Sequence, residues 1–162
     1  MSTTLQQVGP SANDATTAEM HKKLSDEQLE TLIDASLEGR KNSYSPYSKF
    51  KVGAALLTDD GKIITGCNVE NISYGLTNCA ERTALFRAIV EGHRKFEAIA
   101  ITAEMGDKFV GPCGACRQVL AEFGLDWEVY LAKPDKQYMK TTVGKLLPDS
   151  FTPDWVSFSS SS

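Results

Sequence analysis

With 162 residues, 41% of them hydrophobic and 23% charged, the chain has the length and composition of one globular domain able to bury a core without disulfide staples, which excludes fibrous and wholly disordered classes. Its formal net charge of −4 shows none of the Lys/Arg excess that a polyanion-binding protein carries, so a small ligand fits better than nucleic acid. The N-terminus has no basic stretch leading into an apolar run, and no segment is long and apolar enough to span a bilayer; the expected compartment is the cytoplasm, or the nucleus.

Residues 1–23 are rich in Ser, Thr, Gln, Asn and Ala, and residues 157–162 are almost all Ser, so both are expected to be disordered tails around a domain at 24–156. Ser25 and Gln28 form a capping-box pattern, with Leu24 placed to staple onto Leu29. Leu29, Leu32, Ile33 and Leu37 then recur at helical spacing, with Gly39 as the expected stop. The β-rich runs 52–57 and 63–69 flank Asp59-Asp60-Gly61 and predict a hairpin. A second helix is expected from Cys79 to Glu91, stopped by Gly92, and a buried strand at 98–101. A third helix follows from Cys113 to Phe123, then strands at 127–131 and, more weakly, 138–142. This order predicts an α/β fold: one mixed sheet of about five strands sandwiched by helices.

Cys113 and Cys116 stand at i and i+3 where the third helix begins, so both sulfurs can face one metal. Cys79 also stands at a predicted helix start. If the two starts lie side by side, three thiolates converge on one ion and leave a fourth tetrahedral position open to water, which is a catalytic and not a structural arrangement. Cys67, beside Gly66 in a strand, is read as a small core residue, and His21 and His93 are poorly placed to serve as a fourth ligand.

Cys79-Ala80-Glu81 and Pro112-Cys113-Gly114-Ala115-Cys116 match, in its three-cysteine form, the signature of zinc deaminases. With Ser45-Pro46-Tyr47-Ser48, Val52-Gly53-Ala54-Ala55, Asn68-Val69-Glu70-Asn71, Cys79 to Ala84 and Pro112 to Gln118 in this order, the chain from about Tyr44 to Phe151 resembles the cytidine deaminases, specifically the short, homotetrameric kind. The resemblance implies one Zn²⁺ per subunit and hydrolysis of cytidine and deoxycytidine to uridine and deoxyuridine. Zinc would draw a nucleophile from water, and Glu81 would carry protons from that water to ring N3 and to the departing ammonia. Arg82, three residues beyond Cys79, would draw charge from the sulfurs, with Arg117 a weaker candidate for the same work and Gln118 also near the metal. Asn68 and Glu70, two apart on a predicted strand, would share one face and grip the sugar hydroxyls. Phe50, Ala80, Tyr74 and Phe151 would complete the substrate site, Phe151 coming from a neighbouring subunit.

Three other readings compete. A deaminase of bases in RNA or DNA would need a basic, aromatic-lined track, and only the isolated Arg40-Lys41 and Arg94-Lys95 pairs offer basic clusters. A deaminase of a nucleoside antibiotic would share the metal site, and a non-enzymatic zinc module would need no Glu81 chemistry.

Overall fold

The computed structural model describes Gln6–Gln7 and residues 24–156. The tails expected to be disordered therefore lie outside the described residues, apart from Gln6–Gln7, a two-residue strand (β1) that sequence reading missed. Helix α1 (Asp26–Lys41) begins with the expected capping box: Ser25 Oγ accepts from the Gln28 amide, and the Gln28 side chain accepts from the Ser25 amide. Acidic Asp26 and Glu27 in its first turn and basic Arg40 and Lys41 in its last complement the helix dipole. The helix runs through Gly39, so that residue is not the stop.

The hairpin is β2 (Val52–Thr58) and β3 (Ile63–Cys67), followed by α2 (Ala80–Val90), β4 (Phe96–Ala103), α3 (Gly114–Ala121), β5 (Glu128–Ala132), β6 (Gln137–Thr142) and a short α4 (Val143–Leu146). They build one mixed sheet in the order β1-β6-β5-β4-β2-β3. Strand β4 outgrows the apolar run 98–101 because it pairs on both sides, antiparallel with β2 and parallel with β5.

Alternation along the buried strands divides the core into two layers. Ala55, Leu57, Ala98, Ala100 and Tyr130 face α1, which contributes Leu29, Leu32 and Ile33. Leu24 and Leu29, the anticipated staple pair, are both buried in this layer. Ala54, Leu56, Ile99, Ile101, Val129 and Leu131 face the other way, onto Ala84, Leu85 and Ala88 of α2 and Leu120 and Ala121 of α3. Among the described residues no helix is long and apolar enough to cross a membrane.

This topology places the site. Because β2 is antiparallel to both β3 and β4, those two strands run in the same direction. Helix α2 leaves the end of β3 and α3 leaves the end of β4, on the same face of the sheet, so their first turns come together at one edge. Gly66 sets how closely α2 approaches: a Cβ there would lie 2.4 Å from the Ala84 nitrogen and 2.6 Å from the Ala80 carbonyl oxygen. From α1, a Cβ at Gly39 would lie 2.9 Å from the Gly66 carbonyl oxygen, so the same point of β3 is closely approached twice.

Candidate active site

Cys79 and Cys113 are the N-cap residues of α2 and α3, both with extended backbone, and neither side chain caps its helix. Where Ser, Thr or Asp would satisfy the first amides, these helices present thiols and keep their positive ends free to face negative charge. Cys116, one turn into α3, is fully buried. The Cys79 and Cys113 sulfurs are 3.8 Å apart and those of Cys113 and Cys116 are 3.5 Å apart. All three lie within 4.8 Å of one another, and all are free thiols.

Zinc–sulfur bonds of about 2.3 Å in a tetrahedron separate sulfurs by roughly 3.8 Å. Soft donors at this spacing fit zinc, and among the described residues no other His, Cys, Asp or Glu donor joins the cluster. His93 Nδ1 lies 3.5 Å from Asp60 Oδ1 instead. Cys67 stands apart, at the end of β3, half-buried and not in the core as expected, because its sulfur turns to donate to the Asn42 carbonyl at 3.4 Å.

The electrostatics suit a bound cation. Hydrogen bonding with Cys116, then with the Arg82 guanidinium, holds the Cys79 thiol down at about 5 against the opposing effect of its burial. Within this coupled pair the Cys116 thiol is pushed up, chiefly by the same contact and then by burial. Arg82 Nη2 donates to Cys79 Sγ at 3.6 Å and to the Thr77 carbonyl at 3.2 Å, the sulfur contact expected of it. Arg117 does not share this work: its Nε donates to the Pro112 carbonyl at 2.8 Å and its Nη1 to the Leu146 carbonyl at 2.9 Å. Glu81, in the first turn of α2, is only 4% exposed, and burial pushes its carboxyl up to about 7.

Asn68 and Glu70 lie just beyond β3, not on it, along a stretch where Val69 bridges both Tyr44 and Asn78. The paired Val69 and Asn78 amides and carbonyls, at 2.9 and 3.0 Å, set this stretch beside the residue that precedes Cys79. Asn68 is buried and braces the loop at 43–52: Oδ1 accepts from Ser43 Oγ at 2.5 Å and the Val52 amide at 2.9 Å, and Nδ2 donates to the Phe50 carbonyl at 2.8 Å. Glu70 reaches the same loop, accepting from the Tyr47 and Ser48 amides at 2.9 and 3.2 Å and from Ser48 Oγ, whose hydrogen bond holds its carboxyl below the usual range. Sequence reading missed Ser43 and Ser48 as partners, since nothing in a turn-rich segment shows which strand end it folds against.

The remaining expected residues are more scattered. Phe50 is half-buried on the braced loop. Ala80 is wholly buried, its methyl packed in the core between α2 and the sheet. Tyr74, 71% exposed, packs its ring 5.7 Å from that of Tyr47. Phe151, 61% exposed, packs edge-on to Trp155 and is not drawn into the sulfur cluster. Gln118, expected near the metal, sends its Nε2 to the Phe151 carbonyl at 2.7 Å.

Comparisons with known proteins agree with this geometry. The family profile for the cytidine and deoxycytidylate deaminase zinc-binding region matches residues 26–132, a span that holds all three cysteines and Glu81. A probable cytidine deaminase of Dictyostelium discoideum is 50% identical over 80% of this chain and 87% of its own length. The cytidine deaminase of Halalkalibacterium halodurans is 53% identical over 75% of this chain and 92% of its own. The crystal structure of cytidine deaminase from Burkholderia pseudomallei superposes with a TM-score of 0.73 at 53% identity, covering 75% of this chain and 98% of that one. By profile match, identity and fold, the chain belongs to the cytidine and deoxycytidylate deaminase family.

Proposed function

We propose that this chain hydrolyses cytidine and deoxycytidine to uridine and deoxyuridine with release of ammonia, a step of pyrimidine salvage. The observation that carries this reading is a three-sulfur cluster, which would leave a tetrahedral metal one open position, next to the buried carboxyl of Glu81. Bound by Cys79, Cys113 and Cys116, one zinc per chain supplies Lewis-acid chemistry that makes water reactive near neutral pH. Glu81 moves the protons in two transfers. It takes one from the attacking water and delivers it to N3 of the pyrimidine. It then takes the second from the hydroxyl newly bonded to C4 and passes it to the amine, so that C4=O forms as the C4–N bond breaks and ammonia leaves. A carboxyl whose affinity for a proton is raised by burial suits both halves of that task, because it accepts more readily than an ordinary carboxylate and can still donate. Arg82 offsets the charge of the thiolates.

Asn68 and Glu70 form the sugar-binding pair in this reading. Their ties to the loop fix them before substrate arrives, and Asn68 Nδ2 keeps a second hydrogen for a hydroxyl. Phe50, Tyr74, Ala80 and Phe151 line the base and sugar site, with Phe151 supplied across a subunit boundary of a homotetramer. The exposure of Ile72, Tyr74, Leu76 and Phe151 supports an assembly that covers them. The cytoplasm, where thiols stay reduced, is the fitting compartment for three cysteines used as ligands.

The test is to incubate zinc-loaded protein with cytidine, deoxycytidine, cytosine, dCMP and single-stranded oligonucleotides, following ammonia and the loss of cytosine absorbance. Turnover of the two nucleosides is expected. Activity confined to oligonucleotides, or none on any substrate, would contradict the reading.

A further inference from the structure

Each of the two site helices carries an arginine that reaches back to a loop carbonyl just ahead of its own ligand cysteine. Arg82 donates to the Thr77 carbonyl, two residues before Cys79, and Arg117 donates to the Pro112 carbonyl, whose peptide bond leads directly into Cys113. The second donor of each fork differs. Arg82 turns to a sulfur, whereas Arg117 reaches the Leu146 carbonyl at the end of α4. Gly111 lies under the guanidinium, where a Cβ would stand 3.5 Å from Arg117 Nη2, and Pro112 is fully buried. Next to Arg117, Gln118 holds the Phe151 carbonyl, so one turn of α3 grips both the Cys113 loop and the segment after β6.

We infer that Arg117 is a positioning residue: by clamping the Pro112–Cys113 peptide to the end of α4, it fixes where the Cys113 sulfur stands relative to Cys79 and Cys116. Cys113 needs such a clamp because its sulfur is the exposed one of the three and its side chain makes no capping bond to its own helix. Carbonyls bound by a planar fork of fixed geometry hold a loop more closely than a point charge on a flexible stem. The inference rests on the zinc-deaminase reading above, yet it concerns ligand geometry and not charge, since both donors go to carbonyls and neither to sulfur.

The test loads the full-length chain with Co²⁺ in place of zinc and compares wild type with Arg117→Ala and Arg117→Lys. The readouts are the thiolate–cobalt absorption bands, metal affinity by chelator competition, kcat and KM, and thermal unfolding. Arg117→Ala should keep its fold, shift the bands and weaken metal binding about tenfold to a hundredfold, as loss of a partner behind a ligand does. Arg117→Lys should restore the charge but only part of the geometry. Wild-type bands and affinity in Arg117→Ala would overturn the inference, as would unfolding of both variants, which would make Arg117 a residue of general stability. A wild-type chain that shows thiolate–cobalt bands but releases no ammonia from cytidine would sink the functional reading alone.

Discussion

Cys79 and Glu81 stand two residues apart, and that spacing separates the duties proposed for them. Cys79 is the last extended residue before α2, where its sulfur can leave the helix axis and meet Cys113; Glu81 is inside the first turn, buried, and outside the sulfur cluster. Glu81→Ala should therefore retain one zinc per chain while kcat falls by about 10²–10⁴, the usual range for a lost general acid–base. Metal analysis beside the absorbance assay checks both halves, and loss of metal would give Glu81 a different role. Arg82→Gln should weaken metal retention and lower kcat, because the Cys79 thiolate loses a charged donor. For Glu70→Gln the effect should fall on KM, by roughly tenfold, with zinc content unchanged. The three-cysteine cluster was legible in the sequence because Cys113 and Cys116 have local ligand spacing and all three cysteines stand at helix starts. Arg117 and Gln118 were singled out too, but their partners Leu146 and Phe151 were not legible, since both lie far along the chain and a donor's target cannot be read from its neighbours.

At the scale of elements, the site depends on two helices starting at the same sheet edge, and Gly66 is where α2 packs closely on β3. Gly66→Ala should strain the α2–β3 contact, since its methyl would meet the backbone of α2. A destabilisation of about 1–3 kcal/mol is expected, read as a lower thermal midpoint, with weaker metal binding as Cys79 is pushed away. An unchanged midpoint and affinity would show that α2 can shift freely. Periodicity located α1, the hairpin, α2, α3 and the later strands, because each buries a face whose apolar spacing is local. It failed at Gly39, where the sequence offers a helix stop and the structure uses the missing side chain for a close approach to β3, and at α4, whose four residues are too few to show a period. Gly92, with φ of 97°, is the stop that a glycine signal correctly marked.

For the whole molecule, α/β layering follows from helices alternating with strands, but the strand order that brings β3 and β4 parallel around β2 is a tertiary outcome that no local pattern encodes. Tyr74 and Phe151 are exposed in the single chain, and the proposal that a neighbouring subunit covers them and shares the substrate site predicts a tetramer by light scattering; a stable, active monomer would remove Phe151 from a shared site. Three sulfurs grasping one ion with a gap beside Glu81 remains the claim on which every other statement about function depends. X-ray absorption of the zinc-loaded protein tests it most directly. Three sulfur neighbours and one light, exchangeable neighbour per zinc are predicted, whereas four protein ligands, or no metal bound by these cysteines, would contradict the account.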